Sequence, residues 1–205
     1  MLRLLLIAVL LVTPGLRADA APAILVLGDS LSASYGLARE RGWVSLLKER
    51  LAAEGLPHRV INASVSGDTT AGGLTRLPDL LRRESPEVVV IQLGANDGLR
   101  GQDLALIRDR LNELVERAQA AGSRVLLVGN RLPPNYGAAY TEGFQDVFEA
   151  VAEARQVPLV PFLLEGVAER WELIQPDGLH PKAAAQPQLL DNVWSELGPL
   201  LGVSA

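Results

Sequence analysis

Five short runs rich in apolar residues punctuate the chain, and the first four lead into small or polar residues. The first is Ile24-Leu25-Val26-Leu27, which runs straight into Gly28-Asp29-Ser30. An apolar run without alternation is the pattern of a strand covered on both faces. The second is Arg59-Val60-Ile61-Asn62. The third, Val88-Val89-Val90-Ile91-Gln92-Leu93, is the strongest of the set, and Arg124 to Val128 and Val157 to Val160 complete it. Between them the apolar spacing turns helical. Trp43 to Ala53, Thr70 to about Arg83 despite Gly72 and Gly73, Leu104 to Ala120, Phe144 to Ala154 and Ala183 to Leu197 each predict a helix. Strand and helix alternate, which predicts an α/β domain with one five-stranded parallel sheet and helices on both faces.

The first 20 residues stand outside this pattern. A basic start at Arg3 precedes the apolar run Leu4 to Val12, then Pro14 and Gly15, then Ala18-Asp19-Ala20. That order predicts a signal peptide over residues 1–20, cut after Ala20, with a single folded domain over 21–205. The alternative is a membrane anchor, but nine apolar residues fall well short of the roughly 20 that span a bilayer. No stable membrane insertion is expected, and the mature chain is expected in the periplasm or secreted. The 205 residues contain no cysteine, so disulfides and acylation at a lipobox cysteine are excluded. The net charge of -5 becomes -6 once Arg3, Arg17 and Asp19 are removed. A mildly acidic chain without a basic run is no candidate for nucleic acid.

Parallel strands bring their carboxyl ends to one edge of the sheet, where ligands bind. Three loops there are small and polar: Gly28-Asp29-Ser30, Ser66-Gly67-Asp68 and Gly94-Ala95-Asn96-Asp97. A fourth, Asp177-Gly178-Leu179-His180, precedes the last helix and can fold over the same edge. Acyl transfer needs a nucleophile, a base, a group that holds the base, and donors for the oxyanion. Ser30 supplies a hydroxyl, and His180 is the candidate base, the other histidine being His58. Asp177, three residues before His180, can accept the ring Nδ1–H. The candidate oxyanion donors are the N–H of Ser30, the N–H of Gly67 and the side-chain amide of Asn96.

Each residue has a plainer reading. Ser30 and Asp29 could cap a helix, and Asn96 or Asp97 could form a turn. Asp68 is expected to cap the helix at Thr70, Asp29 to support its turn, and His58 to lie exposed in a loop. Asp177 and His180 could bind a metal, but a site needs about three ligands and no other histidine pairs with them. No metal or cofactor is expected. Trp43, Trp171 and Trp194 are expected to pack.

Taken together, Gly28-Asp29-Ser30-Leu31-Ser32, Gly67, Gly94-Ala95-Asn96-Asp97 and Asp177-Gly178-Leu179-His180 resemble the four blocks of the GDSL or SGNH hydrolase family, in the family's order. The resemblance extends from about Ile24 to Leu200. Arg131-Leu132-Pro133-Pro134-Asn135-Tyr136-Gly137 and Asp177 to Pro181 further resemble its bacterial arylesterase, acyl-CoA thioesterase and lysophospholipase subgroup. This implies a flavodoxin-like three-layer SGNH fold, catalytic roles for Ser30, Asp177 and His180, and oxyanion roles for Ser30, Gly67 and Asn96. It also implies acyl esters, acyl thioesters and lysophospholipids as substrates. A monomer is expected.

An acyl groove is then expected along Leu31, Tyr35, Leu132, Tyr136 and Leu179, and Gly98-Leu99-Arg100-Gly101 is expected to move over it on its two glycines. Two other functions remain open at this level. One is a carbohydrate deacetylase of the same fold, disfavoured by an aromatic content of 4%. The other is a lipid-binding protein with a vestigial triad, which the complete set of blocks argues against.

Overall fold

The computed structural model describes residues 21–203; the expected signal peptide lies outside the described residues. Strands β1 (Ala23–Gly28), β2 (Arg59–Asn62), β3 (Val88–Gln92), β4 (Arg124–Val128) and β5 (Leu159–Val160) form a single sheet in the order β2-β1-β3-β4-β5. Every neighbouring pair is parallel, with Ile24 beside Val88 and Val88 beside Arg124. That is the flavodoxin-like order, and its switch point lies between β1 and β3.

The uninterrupted apolar runs have the cause the pattern implied. Ile24, Val26, Val88, Val90, Leu126 and Val128 point to one face, under helices α1 (Trp43–Ala53) and α6 (Gln186–Leu200). Leu25, Leu27, Val89, Ile91 and Leu127 point to the other, under α2 (Thr70–Glu84), α4 (Leu104–Ala120) and α5 (Ala138–Arg155). Each such side chain contributes about 1.5–3 kcal/mol by leaving water. The result is a three-layer sandwich whose carboxyl edge is left to loops.

Four boundaries differ from the pattern. Residues Ala95–Leu99 form a helical turn, α3, where a loop is expected. It begins after Gly94, whose φ of 112° starts the turn in a conformation open to glycine. Helix α5 starts at Ala138, ahead of its first buried aromatic, Phe144. Strand β5 is shorter than expected, and Ala183–Ala185 is a separate tight turn before α6. Helix α2 does form through Gly72 and Gly73. A Cβ on Gly73 would lie 2.4 Å from Leu93 Cδ1, so the missing side chain lets α2 lie close on the sheet.

Candidate active site

Strand β1 delivers Ser30 to the sheet edge through a crowded turn. A Cβ on Gly28 would sit 2.8 Å from Ser32 Cβ and 2.9 Å from Gln92 Oε1, so only glycine fits. Behind the serine, Asp29 is 1% exposed. Its Oδ1 accepts from the Leu31 N–H at 3.0 Å and the Gln92 amide at 3.1 Å. Gln92 Oε1 in turn accepts from the Ser32 hydroxyl at 2.6 Å. Burial pushes the Asp29 carboxyl up to about 6, against the opposing pull of the Leu31 and Gln92 hydrogen bonds. The expectation that Asp29 supports its turn therefore holds, with Gln92 as an unforeseen partner. A glutamine closing an otherwise apolar strand was the available signal.

At the tip of β3, Asn96 lies in the first turn of α3. Its amide donates to the Asp68 carbonyl at 2.9 Å and reaches Asp29 Oδ2 at 3.5 Å. Asp97, fully buried, accepts from the Thr70 N–H at 2.9 Å and the Thr70 hydroxyl at 2.6 Å, so it holds the start of α2. The expected cap is displaced by one residue. Thr69, not Asp68, caps α2, its hydroxyl accepting from the Gly72 N–H at 3.2 Å. Asp68 instead pairs with Arg76 and accepts from the Thr69 N–H at 2.9 Å. Arg76 also binds the Ala63 carbonyl at 2.6 Å, which ties the loop after β2 to α2. Gly67 sits in that loop at φ +80°, with nothing near its α-carbon on the side a Cβ would occupy. Its carbonyl accepts from Arg100 at 3.1 Å.

The fourth loop closes the arrangement. His180 Nε2 lies 2.8 Å from Ser30 Oγ, and His180 Nδ1 lies 2.7 Å from Asp177 Oδ2. Asp177 Oδ1 accepts from the backbone N–H groups of Leu179 and His180, each at 3.0 Å. The His180 N–H, first among these contacts, lowers the Asp177 carboxyl to about 2, so it is ionised at neutral pH. The Tyr35 ring lies 4.4 Å from the His180 ring. Gln175 fastens the loop by donating to the carbonyls of Tyr35 and Pro181, at 2.9 and 3.0 Å.

A groove of about 480 Å³ opens beside Ser30, Asn96 and His180. Leu31, Leu132 and Leu179 line it as expected, joined by Leu99, Phe162 and Leu164. Tyr35 and Tyr136 do not. Tyr35 faces His180, and the Tyr136 hydroxyl donates to the Leu99 carbonyl at 2.8 Å.

Trp43 is buried and Trp194 lies under Arg50, but Trp171 is 74% exposed at the groove's edge instead of packed. His58 is not exposed either. Its side chain is buried beside Glu87, at 3.3 Å. The expected hinge at Gly98 is a packing glycine. A Cβ there would meet Phe144 at 2.7 Å and Leu132 at 2.9 Å, and the adjoining Leu99 and Arg100 are both hydrogen-bonded. Among the described residues no group of three or more His, Asp or Glu side chains could hold a metal ion. No described helix is long and apolar enough to cross a membrane.

Comparison with known proteins agrees with this layout. The model of the GDSL-like lipase/acylhydrolase family matches residues 26–186. Esterase TesA of Pseudomonas aeruginosa is 55% identical over 182 residues, 89% of this chain and 90% of the relative. Thioesterase 1/protease 1/lysophospholipase L1 of Escherichia coli strain K12 is 40% identical over 185 residues, 90% of this chain and 88% of the relative. The crystal structure of TesA superposes with a TM-score of 0.85 at 54% identity, over 87% of this chain and 99% of that one. The SGNH-type sheet, the order of the four blocks and these relatives lead to one conclusion: the chain belongs to the GDSL-like lipase/acylhydrolase family.

Proposed function

We propose that this protein is a serine esterase and thioesterase that cleaves acyl esters, acyl thioesters and lysophospholipids through an acyl-enzyme on Ser30. The observation that carries the reading is the position of His180, whose ring nitrogens lie 2.8 Å from Ser30 Oγ and 2.7 Å from Asp177 Oδ2. In the attack, Ser30 Oγ bonds to the carbonyl carbon and His180 Nε2 takes the hydroxyl proton. The carbonyl electrons move onto oxygen, where the N–H groups of Ser30 and Gly67 and the Asn96 amide donate. Collapse breaks the bond to the leaving group, which takes the proton from His180. Water then repeats the sequence in reverse with His180 as base. Asp177 holds Nδ1 protonated and stabilises the imidazolium. No metal or cofactor enters this sequence.

Residues 1–20 carry the signature of an export signal, so the enzyme acts in the periplasm or outside the cell. A panel of p-nitrophenyl esters, acyl-CoAs and lysophosphatidylcholines tests the substrate reading. Ser30→Ala is expected to lower kcat about 10⁵-fold with an unchanged melting temperature. A fluorophosphonate is expected to label the wild type at Ser30 and to leave Ser30→Ala unlabelled. Labelling elsewhere, or full activity in Ser30→Ala, would show the nucleophile to be another residue.

A further inference from the structure

Two residues past the end of strand β4 stands a side chain that the acyl-transfer chemistry does not use. Asn130 follows Gly129 and is 3% exposed, yet it lines the groove beside Ser30 and Asn96. Among the described residues its side-chain amide nitrogen has no hydrogen-bond partner. A buried amide left unpaired loses its water without a replacement partner, so a group that satisfies it gains in binding.

The backbone around it is rigidly set. The Gly129 N–H donates to the Val160 carbonyl at 2.8 Å, and the Gly129 carbonyl accepts from Leu163 at 3.1 Å. A Cβ on Gly129 would lie 2.3 Å from the Pro161 carbonyl oxygen, so the chain is pressed against the strand beside it. The neighbouring charge is already engaged. Arg131 pairs with Glu165 at 3.0 Å and lies over the Phe162 ring. The rest of this wall is apolar: Leu99, Leu132, Pro133 and Pro134.

The direction of the substrate follows from the proton. His180 must hand its proton to the leaving group, so the leaving group lies toward the loop that carries His180. The acyl chain then runs the other way, along Leu99 and Leu132, past Asn130. Strand β4 is two strands from β1 in the sheet, and at about 4.8 Å per strand that is about 10 Å. The Ser30 and Asn130 side chains both line the groove and take up much of that distance, so an acyl chain on Ser30 meets Asn130 within its first few carbons. An amide offers an acceptor oxygen and a donor NH2 group side by side, and a hydroxyl can pair with either.

We propose, building on the acyl-transfer reading above, that Asn130 is a specificity-determining residue that selects acyl groups carrying a hydroxyl close to the ester carbonyl. The hydroxyl donates to Asn130 Oδ1 or accepts from its Nδ2, and an unsubstituted acyl chain leaves the amide unpaired.

The test compares p-nitrophenyl butyrate with the two enantiomers of p-nitrophenyl 3-hydroxybutyrate. Each kcat/KM is divided by the rate of hydroxide-catalysed hydrolysis of the same ester, which removes the inductive effect of the hydroxyl. The wild type is expected to favour one enantiomer over butyrate by about 10-fold, because one amide on a fixed wall meets one of the two hands. Asn130→Leu, similar in size and apolar, is expected to favour butyrate instead and to lose the enantiomer preference. Asn130→Ala replaces it if leucine disturbs folding, and the wild-type enantiomer ratio needs no variant. Equal normalised ratios in wild type and variant, with butyrate still cleaved, overturn this proposal alone. Cleavage of none of the esters, with no fluorophosphonate labelling, overturns the acyl-transfer reading and this proposal with it.

Discussion

The two halves of the candidate site are built by opposite means. Ser30 and Asn96 stand on buried strand ends, and their support is a polar network inside the protein: Asp29, Gln92, Ser32, Asp97 and Thr70, all nearly or fully buried. Asp177 and His180 stand on a surface loop with no strand beneath them. They are held by a few bonds, the Asp177 carboxylate folding back on two N–H groups of its own turn and Gln175 bridging to Pro181 nearby and to Tyr35 far away in the chain. Side chains of the first half therefore serve the fold and the chemistry together. In the second half the two separate, because the loop buries little that the core depends on.

The sharpest way to break that contrast is Asp177→Asn. The Asn Oδ1 still accepts from Leu179 and His180, so the loop keeps its shape. Its amide now faces His180 Nδ1 as a donor and forces the ring into the wrong tautomer. The expected loss in kcat is about 10⁴-fold, with a melting temperature within error of the wild type. A large fall in stability would mean that the loop matters to the fold after all.

Asn96→Ala probes the other half. It removes one of the proposed oxyanion donors and also the bond to the Asp68 carbonyl at 2.9 Å. The expected loss is about 10²- to 10³-fold in kcat with little change in KM. Stability is expected to fall as well, by about 1 kcal/mol. Steady-state kinetics and denaturant unfolding on one preparation give both numbers, and their joint loss is what separates Asn96 from Asp177.

The same contrast decides what could be seen in the sequence. The sheet was legible because burial on both faces writes unbroken apolar runs, and the four blocks were legible because acyl chemistry needs particular side chains, three sets of them at strand tips and one on the loop before the last helix. Helix α3 was not, because Gly94 to Gly98 has the composition of a turn and becomes helical only through Gly94 and the buried Asp97. Gly98 read as a hinge, since nothing in the sequence shows that Phe144 and Leu132 fill the space beside it. Trp171 read as core because tryptophan usually is, and His58 read as exposed because its neighbours are Pro57 and Arg59. Gln92 and Asn130 are short-range in neither sense. Their partners, or lack of them, come from strands brought together by the sheet order.

Asp29→Asn carries the comparison to its smallest and most discriminating effect. The Asp29 carboxyl titrates near 6 in the folded protein against 3.8 as the ordinary value, so the folded state binds the proton more tightly than the unfolded chain. Between those two values the folded state holds more protons, and stability falls as pH rises, until the penalty is complete above about 6. The shift corresponds to at most about 3 kcal/mol. Asparagine cannot ionise, and its oxygen can still accept from Leu31 and Gln92. The variant is therefore expected to be more stable than the wild type above pH 6, by up to about 3 kcal/mol, and to show a flatter stability profile between pH 4 and 7. Its new amide faces Asn96, however, at the position where Asp29 Oδ2 now lies 3.5 Å away. Two donors there turn the Asn96 amide aside, and kcat is expected to fall about tenfold, less than for loss of a whole oxyanion donor. Thermal unfolding across that pH range, beside kcat for one activated ester, reads both. Stability gained while activity is lost would mean that the buried charge is kept for the oxyanion site and at the fold's expense; a parallel loss of both would mean that Asp29 is a structural anchor and no more.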